Sequence, residues 1–321
     1  MILEQENLKV IKELNIDDYK NEFIEKFLKL FPSIYKKEKL EEILKENLKK
    51  INKVEPFENK IIKGNYDYEA RTINIVNENN DIAIFHEFIH SIRGKESIDE
   101  LEELEEPIMF NGLIEGFTKY AEMLYNMYKR KGKIYKDEIQ YVYLNKDKIS
   151  FEENSYFTLA NVIQELELLY GEINDKETLL ETYLKNENVY IKIKDIYVRY
   201  YETLGKMENK EVSDIEYISM QSAYKILYYL NLMYESIFET KGIRNFILET
   251  IEKEIAEIYE VIAHTNSNSK MNGLLLTTEA ETREQRLLKV IFGEEIKQKQ
   301  YSLKRSLNRL SDSFISRDLE A

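Results

Sequence analysis

The segment from position 82 to position 93, Ile-Ala-Ile-Phe-His-Glu-Phe-Ile-His-Ser-Ile-Arg, decides the fold that we predict for this chain. It is of helical length, with Asp81 before it as an N-cap and Gly94 just past its end. Its apolar residues cover nearly all faces of the helix, which predicts a buried position. A polar run at 77–81 and an alternating segment before it predict that a strand over 66–76 leads into this helix.

The buried helix carries the pattern His-Glu-x-x-His, formed by His86, Glu87 and His90. Residues four apart lie one turn apart on one helix face, so both imidazoles can reach a single Zn²⁺, with Glu87 beside them to act on a metal-activated water. The competing interpretation is two buried histidines that share a chance pattern. The chain has only 3 His and no Cys, so any metal must be held by His, Asp, Glu or backbone oxygen.

A catalytic zinc has three protein ligands and one open position, so the pattern requires a third ligand. Glu115 is a lone carboxylate among apolar residues at the start of a predicted helix over 112–131, and it is the best candidate. A carboxylate there could instead stabilise the helix dipole or form a structural ion pair. The acidic run at 96–106 offers Glu103 and Glu106 as fallback ligands, although such a run is typical of a solvated face.

Residues 86–90, followed by Ile-Glu-Gly-Phe-Thr-Lys-Tyr at 114–120, resemble the gluzincin zinc metallopeptidases, in particular bacterial zincin-like proteins with a similar second motif. The match covers roughly residues 68–125. The chain lacks the Asn-Glu-x-x-Ser-Asp motif of thermolysin and has Lys119 where such motifs often have Glu. The resemblance implies zinc ligands at His86, His90 and Glu115, a general base at Glu87, and pairing of an extended substrate with the strand segment Ile73, Asn74 and Ile75.

Zincins also use a side-chain donor to stabilise the oxyanion. Tyr156, which opens a predicted helix over 156–170, resembles a Tyr that follows the Glu motif in similar proteins, and we predict it as the donor. His264 is the competing candidate. The other interpretation of each residue is a hydrogen-bonded side chain of the interior.

The composition disfavours several classes of protein. With 46 Lys and Arg against 60 Asp and Glu, the net charge is −14, which argues against a nucleic-acid partner. No apolar run approaches the ~20 residues of a membrane span, and the first residues lack the basic and apolar regions of a signal peptide. We therefore expect a cytoplasmic protein, with export by a route without a signal peptide left open and the oligomeric state undecided. The resemblance to metallopeptidases implies a peptide or protein substrate.

The low content of Gly (10) and Pro (3) favours long helices, and we predict a mainly α fold with a small β-sheet (α+β). Its zincin-like core would have a strand before the buried helix and a long helical C-terminal half. The predicted domains are a helical N-terminal segment (1–60), a catalytic core (61–150), a helical subdomain that completes the cleft (151–264), and a linker with C-terminal helices (265–321). The other predicted helices span 17–31, 33–53, 175–186, 190–206, 212–238 and 242–263.

Three functions are compatible with these features. The first is a zinc-dependent metallopeptidase that hydrolyses peptide bonds by a metal-activated water, with Glu87 as general base. The second is a non-catalytic zincin-like module that binds a protein partner through its helical C-terminal half. The third is a plain helical interaction protein in which the pattern at 86–90 has no metal and arises by chance.

Overall fold

The computed structural model describes residues 8–58, 62–93, 111–131, 151–174, 176–208, 214–236 and 241–265. Helices dominate these ranges and one small sheet accompanies them, which confirms the predicted fold class. The strands are β1 (Val10–Glu13), β2 (Lys50–Val54), β3 (Gly64–Asp67) and β4 (Thr72–Ile75). The helices are α1 (Ile16–Leu30), α2 (Lys37–Asn47), α3 (Asp81–Arg93), α4 (Asn111–Lys131), α5 (Phe151–Ile173), α6 (Leu179–Leu184), α7 (Val189–Glu208), α8 (Ile215–Ser236) and α9 (Lys241–Thr265).

The sheet has the strand order β1-β2-β4-β3, with β2 and β4 parallel and the two outer pairs antiparallel. The single strand predicted over 66–76 is wrong, because this segment contains the hairpin of β3 and β4. The reversal takes place between Asp67 and Thr72, where the Ala70 N–H donates to the Asp67 carboxylate at 2.9 Å and Arg71 has a φ of 52°. This side-chain turn reverses the chain without the Gly that usually marks such a position.

The predicted helix over 33–53 is wrong in its last third. Helix α2 ends at Asn47, and the following residues form β2. Ile51 and Val54 are fully buried, and Ile51 lies opposite Ile73 of β4. Pairing and burial of these β-branched side chains outweigh the helical periodicity of the segment. Strand β1, which the sequence pattern does not indicate, pairs with the other side of β2.

Helix α3 begins with a cap at Asn80 rather than at Asp81. The side-chain oxygen of Asn80 accepts the Ala83 N–H at 3.2 Å, which satisfies one of the free donors of the first turn. The Asp81 carboxylate instead accepts hydrogen bonds from Tyr125 at 2.9 Å and Lys129 at 2.8 Å. Both partners lie on α4, so Asp81 holds the start of α3 against that helix.

One buried hydrophobic cluster extends from α1 to α9. Helix α3 packs against α2, β3 and β4 and also against α4, while α4 packs against α5 and α8. The HExxH helix is therefore buried, as predicted, between the sheet and the helical half. The predicted helices at 82–93, 112–131, 156–170, 175–186, 190–206, 212–238 and 242–263 correspond to α3 through α9. Within the described ranges, no helix has the length and apolar composition that a bilayer span requires.

Candidate metal centre

Helix α3 carries three polar side chains of the HExxH pattern into the protein interior. Glu87 and His90 are each 5% exposed, and His86 is partly buried. The apolar residues around them hold the helix in place, and the stacked rings of Phe23 and Phe88 have their centroids 4.6 Å apart. The packing of α3 thus fixes the direction in which its two imidazoles point.

The ring nitrogens of both histidines and the carboxylate of Glu115 converge on one point. The two Nε2 atoms of His86 and His90 are 3.2 Å apart, and the Glu115 oxygens lie 3.4 Å from His86 Nε2 and 3.5 Å from His90 Nε2. Ligands at 2.0–2.1 Å from a tetrahedral Zn²⁺ are separated by about 3.3 Å. The His86 separation is to one Glu115 oxygen and the His90 separation is to the other, so two imidazoles and one carboxylate surround a point at which a metal ion could be held.

A second layer of side chains orients the two imidazoles. His86 Nδ1 donates to the Glu122 carboxylate at 2.9 Å, so in the neutral imidazole the Nε2 lone pair points at the centre. The Tyr68 hydroxyl lies 3.1 Å from His90 Nδ1 and can accept a hydrogen bond from the N–H of that ring in the same way. Neither Tyr68 nor Glu122 follows from the HExxH pattern. The position of Glu122, seven residues after Glu115 and on the same face of α4, is the signal that could have identified it.

Lys119 lies in this second layer. Its Nζ is 2.6 Å from the second carboxylate oxygen of Glu122. The residue that departs from the gluzincin-like motif is thus placed beside the centre, one turn of α4 after Glu115. It contacts the carboxylate that binds His86.

The cluster has an excess of negative charge that favours a bound cation. Burial lowers the pKa of His86, but hydrogen bonds to Glu115 and Glu122 outweigh burial and raise that pKa to about 10. Burial acts to raise the pKa of Glu115, but His90 and His86 hold it well below its usual range. A proton on His86 or a bound divalent metal would each offset the negative charge of the carboxylates around this site.

Glu87 lies beside the three donor atoms and is not one of them. Burial raises the pKa of its carboxyl group above the usual value. Its side chain contacts β3 at Gly64, where a Cβ would lie 3.0 Å from both Cγ and Oε1 of Glu87. The carboxylate therefore occupies the space between α3 and the start of β3.

The predicted pairing of substrate with Ile73, Asn74 and Ile75 is wrong. These residues form β4, which pairs with β2 on one side and β3 on the other, so its backbone groups are already used within the sheet. All residues of β4 are buried. Within the described part of the chain β3 pairs with β4 alone, and it is the outer strand nearest to Glu87.

Several predicted residues are not placed at the centre by the described structure. Tyr156 belongs to α5 and His264 to α9, but their side chains lie outside the described part. Glu103 and Glu106 lie in the range 94–110, which is also outside it. The roles predicted for these four residues remain predictions.

Comparison with protein-family models, with curated proteins and with solved structures gives no match for this chain. The function that we assign to the centre is consequently inferred from its geometry and chemistry.

Proposed function

We propose that this protein is a zinc-dependent metallopeptidase. The observation that carries the proposal is the convergence of His86, His90 and Glu115 at separations of 3.2 to 3.5 Å, with the buried carboxylate of Glu87 next to them. Two imidazoles and one carboxylate form the ligand set of several catalytic zinc sites, which keep a fourth position open. Mg²⁺ and Ca²⁺ favour sites built of oxygen ligands, and this site offers two nitrogens.

The residues of this site would have separate roles in peptide hydrolysis. His86, His90 and Glu115 would hold the zinc ion, which when bound lowers the pKa of a water molecule and polarises the scissile carbonyl. Glu87 would accept a proton from the attacking water and transfer it to the leaving amine as the peptide bond breaks.

An extended peptide could reach this centre along the outer edge of β3. Backbone pairing with an outer strand is a common mode of peptide recognition. Gly64, at the start of that strand, contacts Glu87 directly. A peptide paired with β3 would therefore pass beside the general base. A peptide could not pair with β4 in this way, because both edges of β4 are already paired.

The decisive test replaces the general base and leaves the ligands intact. We expect Glu87→Gln to retain zinc but to digest a peptide library at least ~10²-fold more slowly, because a positioned base typically contributes that factor. Glu38→Gln, the same chemical change at an exposed position of α2, is the matched control and should digest normally. Equal digestion by Glu87→Gln, with its zinc content verified, would contradict the peptidase proposal and favour a non-catalytic metal-binding module.

A further inference from the structure

We propose that Lys119 is a positioning residue that prepares the metal site before the metal binds. It does so by holding Glu122 on His86, which fixes the ring orientation and tautomer of that ligand. The inference rests on the proposed metal site. It assigns a function to the one residue of the second motif that departs from the gluzincin-like pattern.

The contacts form a continuous chain of three side chains. Lys119 Nζ lies 2.6 Å from Oε1 of Glu122, and Oε2 of Glu122 lies 2.9 Å from Nδ1 of His86. All three side chains are largely buried, with exposed fractions of 16%, 8% and 14% respectively. Each oxygen of the Glu122 carboxylate therefore has its own partner, and the carboxylate plane is fixed between them.

The lysine is needed because a buried carboxylate is costly without compensation. Removing one partner of a buried ion pair leaves the other charge uncompensated, which is strongly unfavourable. A glutamate side chain also regains rotamer entropy when it is released. Without Lys119, both electrostatics and side-chain entropy would favour conformations in which Glu122 no longer contacts His86.

A positioning role and a purely electrostatic role predict changes of opposite sign in metal affinity when Lys119 is removed. A lysine that acted only through its charge would repel a divalent ion, so its removal would tighten metal binding. A lysine that acts by orienting His86 through Glu122 would weaken metal binding when it is removed. The direction of the change in affinity thus separates the two roles.

The test measures the dissociation constant for Zn²⁺ on the full chain by competition with a chromophoric chelator. We expect Lys119→Met and Glu122→Gln each to weaken zinc binding by roughly 10-fold to 100-fold, the usual range for the loss of an outer partner of a ligand. Lys119→Arg keeps the cation and should recover most of the affinity. In the Glu122→Gln background, Lys119→Met should have little further effect, because it acts through Glu122.

Lys39→Met is the control, since Lys39 is an exposed lysine of α2 that pairs with Glu42 of the same helix. It should leave the zinc affinity unchanged. The absorption spectrum of the Co²⁺-loaded protein gives a second readout, because a rotated His86 changes the ligand field. If Lys119→Met does not fold, Lys119→Gln replaces it. An unchanged or tighter zinc affinity in Lys119→Met, or additive losses in the double variant, would overturn the positioning role. A wild-type chain that binds no zinc would instead contradict the proposed function itself.

Discussion

Gly64 provides the space that the side chain of Glu87 occupies. A Cβ at this position would lie 3.0 Å from Cγ and Oε1 of Glu87 and 3.2 Å from the backbone oxygen of Asn74. These separations are shorter than ordinary van der Waals contact. Because the Asn74 oxygen belongs to β4 and cannot move independently, the side chain of Glu87 is the group that would give way.

We therefore predict that Gly64→Ala lowers kcat and leaves the zinc content unchanged. The displacement of Glu87 is a few tenths of an ångström, and we expect a loss on the order of 10-fold, since a 1 Å misplacement can cost about 10²-fold. Steady-state kinetics with a susceptible peptide, together with metal analysis, measure both quantities. Loss of zinc in parallel with activity, or an unchanged kcat, would contradict the placement of Glu87 against β3.

At the level of single residues, sequence patterns identify groups whose relation is local. His86 and His90 are found because the helix itself sets their separation, and Glu115 because an isolated acid at an apolar helix start requires a partner. Tyr68 binds His90 from the turn after β3, so its role depends on a tertiary contact. Glu122 lies two turns after Glu115, where a surface ion pair would be the ordinary expectation for an acid.

At the level of elements, the position of Glu115 depends on the contact between α4 and α8. Gly112 lies directly against the backbone of α8, and a Cβ there would be 2.1 Å from the Leu230 carbonyl oxygen. Glu115 is one turn after Gly112 on α4. The close approach of these two helices thus sets the depth at which the third ligand enters the centre.

We predict that Gly112→Ala destabilises the protein by roughly 3 kcal/mol, because the added methyl group meets backbone rather than a mobile side chain. Urea denaturation measures this change, and zinc affinity should fall as Glu115 is displaced. Gly171→Ala in α5 is the matched control, since a Cβ there meets nothing within 4 Å. The control should be neutral or should gain up to about 1 kcal/mol of helix propensity. Equal stabilities of the two variants would contradict the close contact.

The sequence predicts the helical elements better than the strands for a physical reason. Long amphipathic segments such as α7 and α8 contain their own periodicity, and both lie within a few residues of their predicted limits. The strands are only four or five residues long and owe their form to their neighbours in the sheet. For that reason the sequence pattern predicts a helix where β2 lies, and it predicts a substrate edge at β4, which is an inner strand.

At the level of the whole molecule, the candidate metal centre lies within a fold that has its own hydrophobic core. The buried cluster includes side chains from α1, the sheet and the helices through α9. The three proposed ligands come from only two of these elements, α3 and α4. The apolar packing can therefore maintain the fold when the ligands are replaced, so the metal content and the folded state can be measured independently.

The most direct measurement of the central claim is the zinc content of the purified full chain, determined by inductively coupled plasma mass spectrometry after dialysis against Zn²⁺ and then against metal-free buffer. We predict about one zinc ion per wild-type chain, as expected for one site with three protein ligands. The His86→Ala/His90→Ala double variant should retain little zinc, while its circular dichroism spectrum remains helical. A wild-type chain without zinc, or a double variant with the same zinc content as the wild type, would contradict the assignment of this centre.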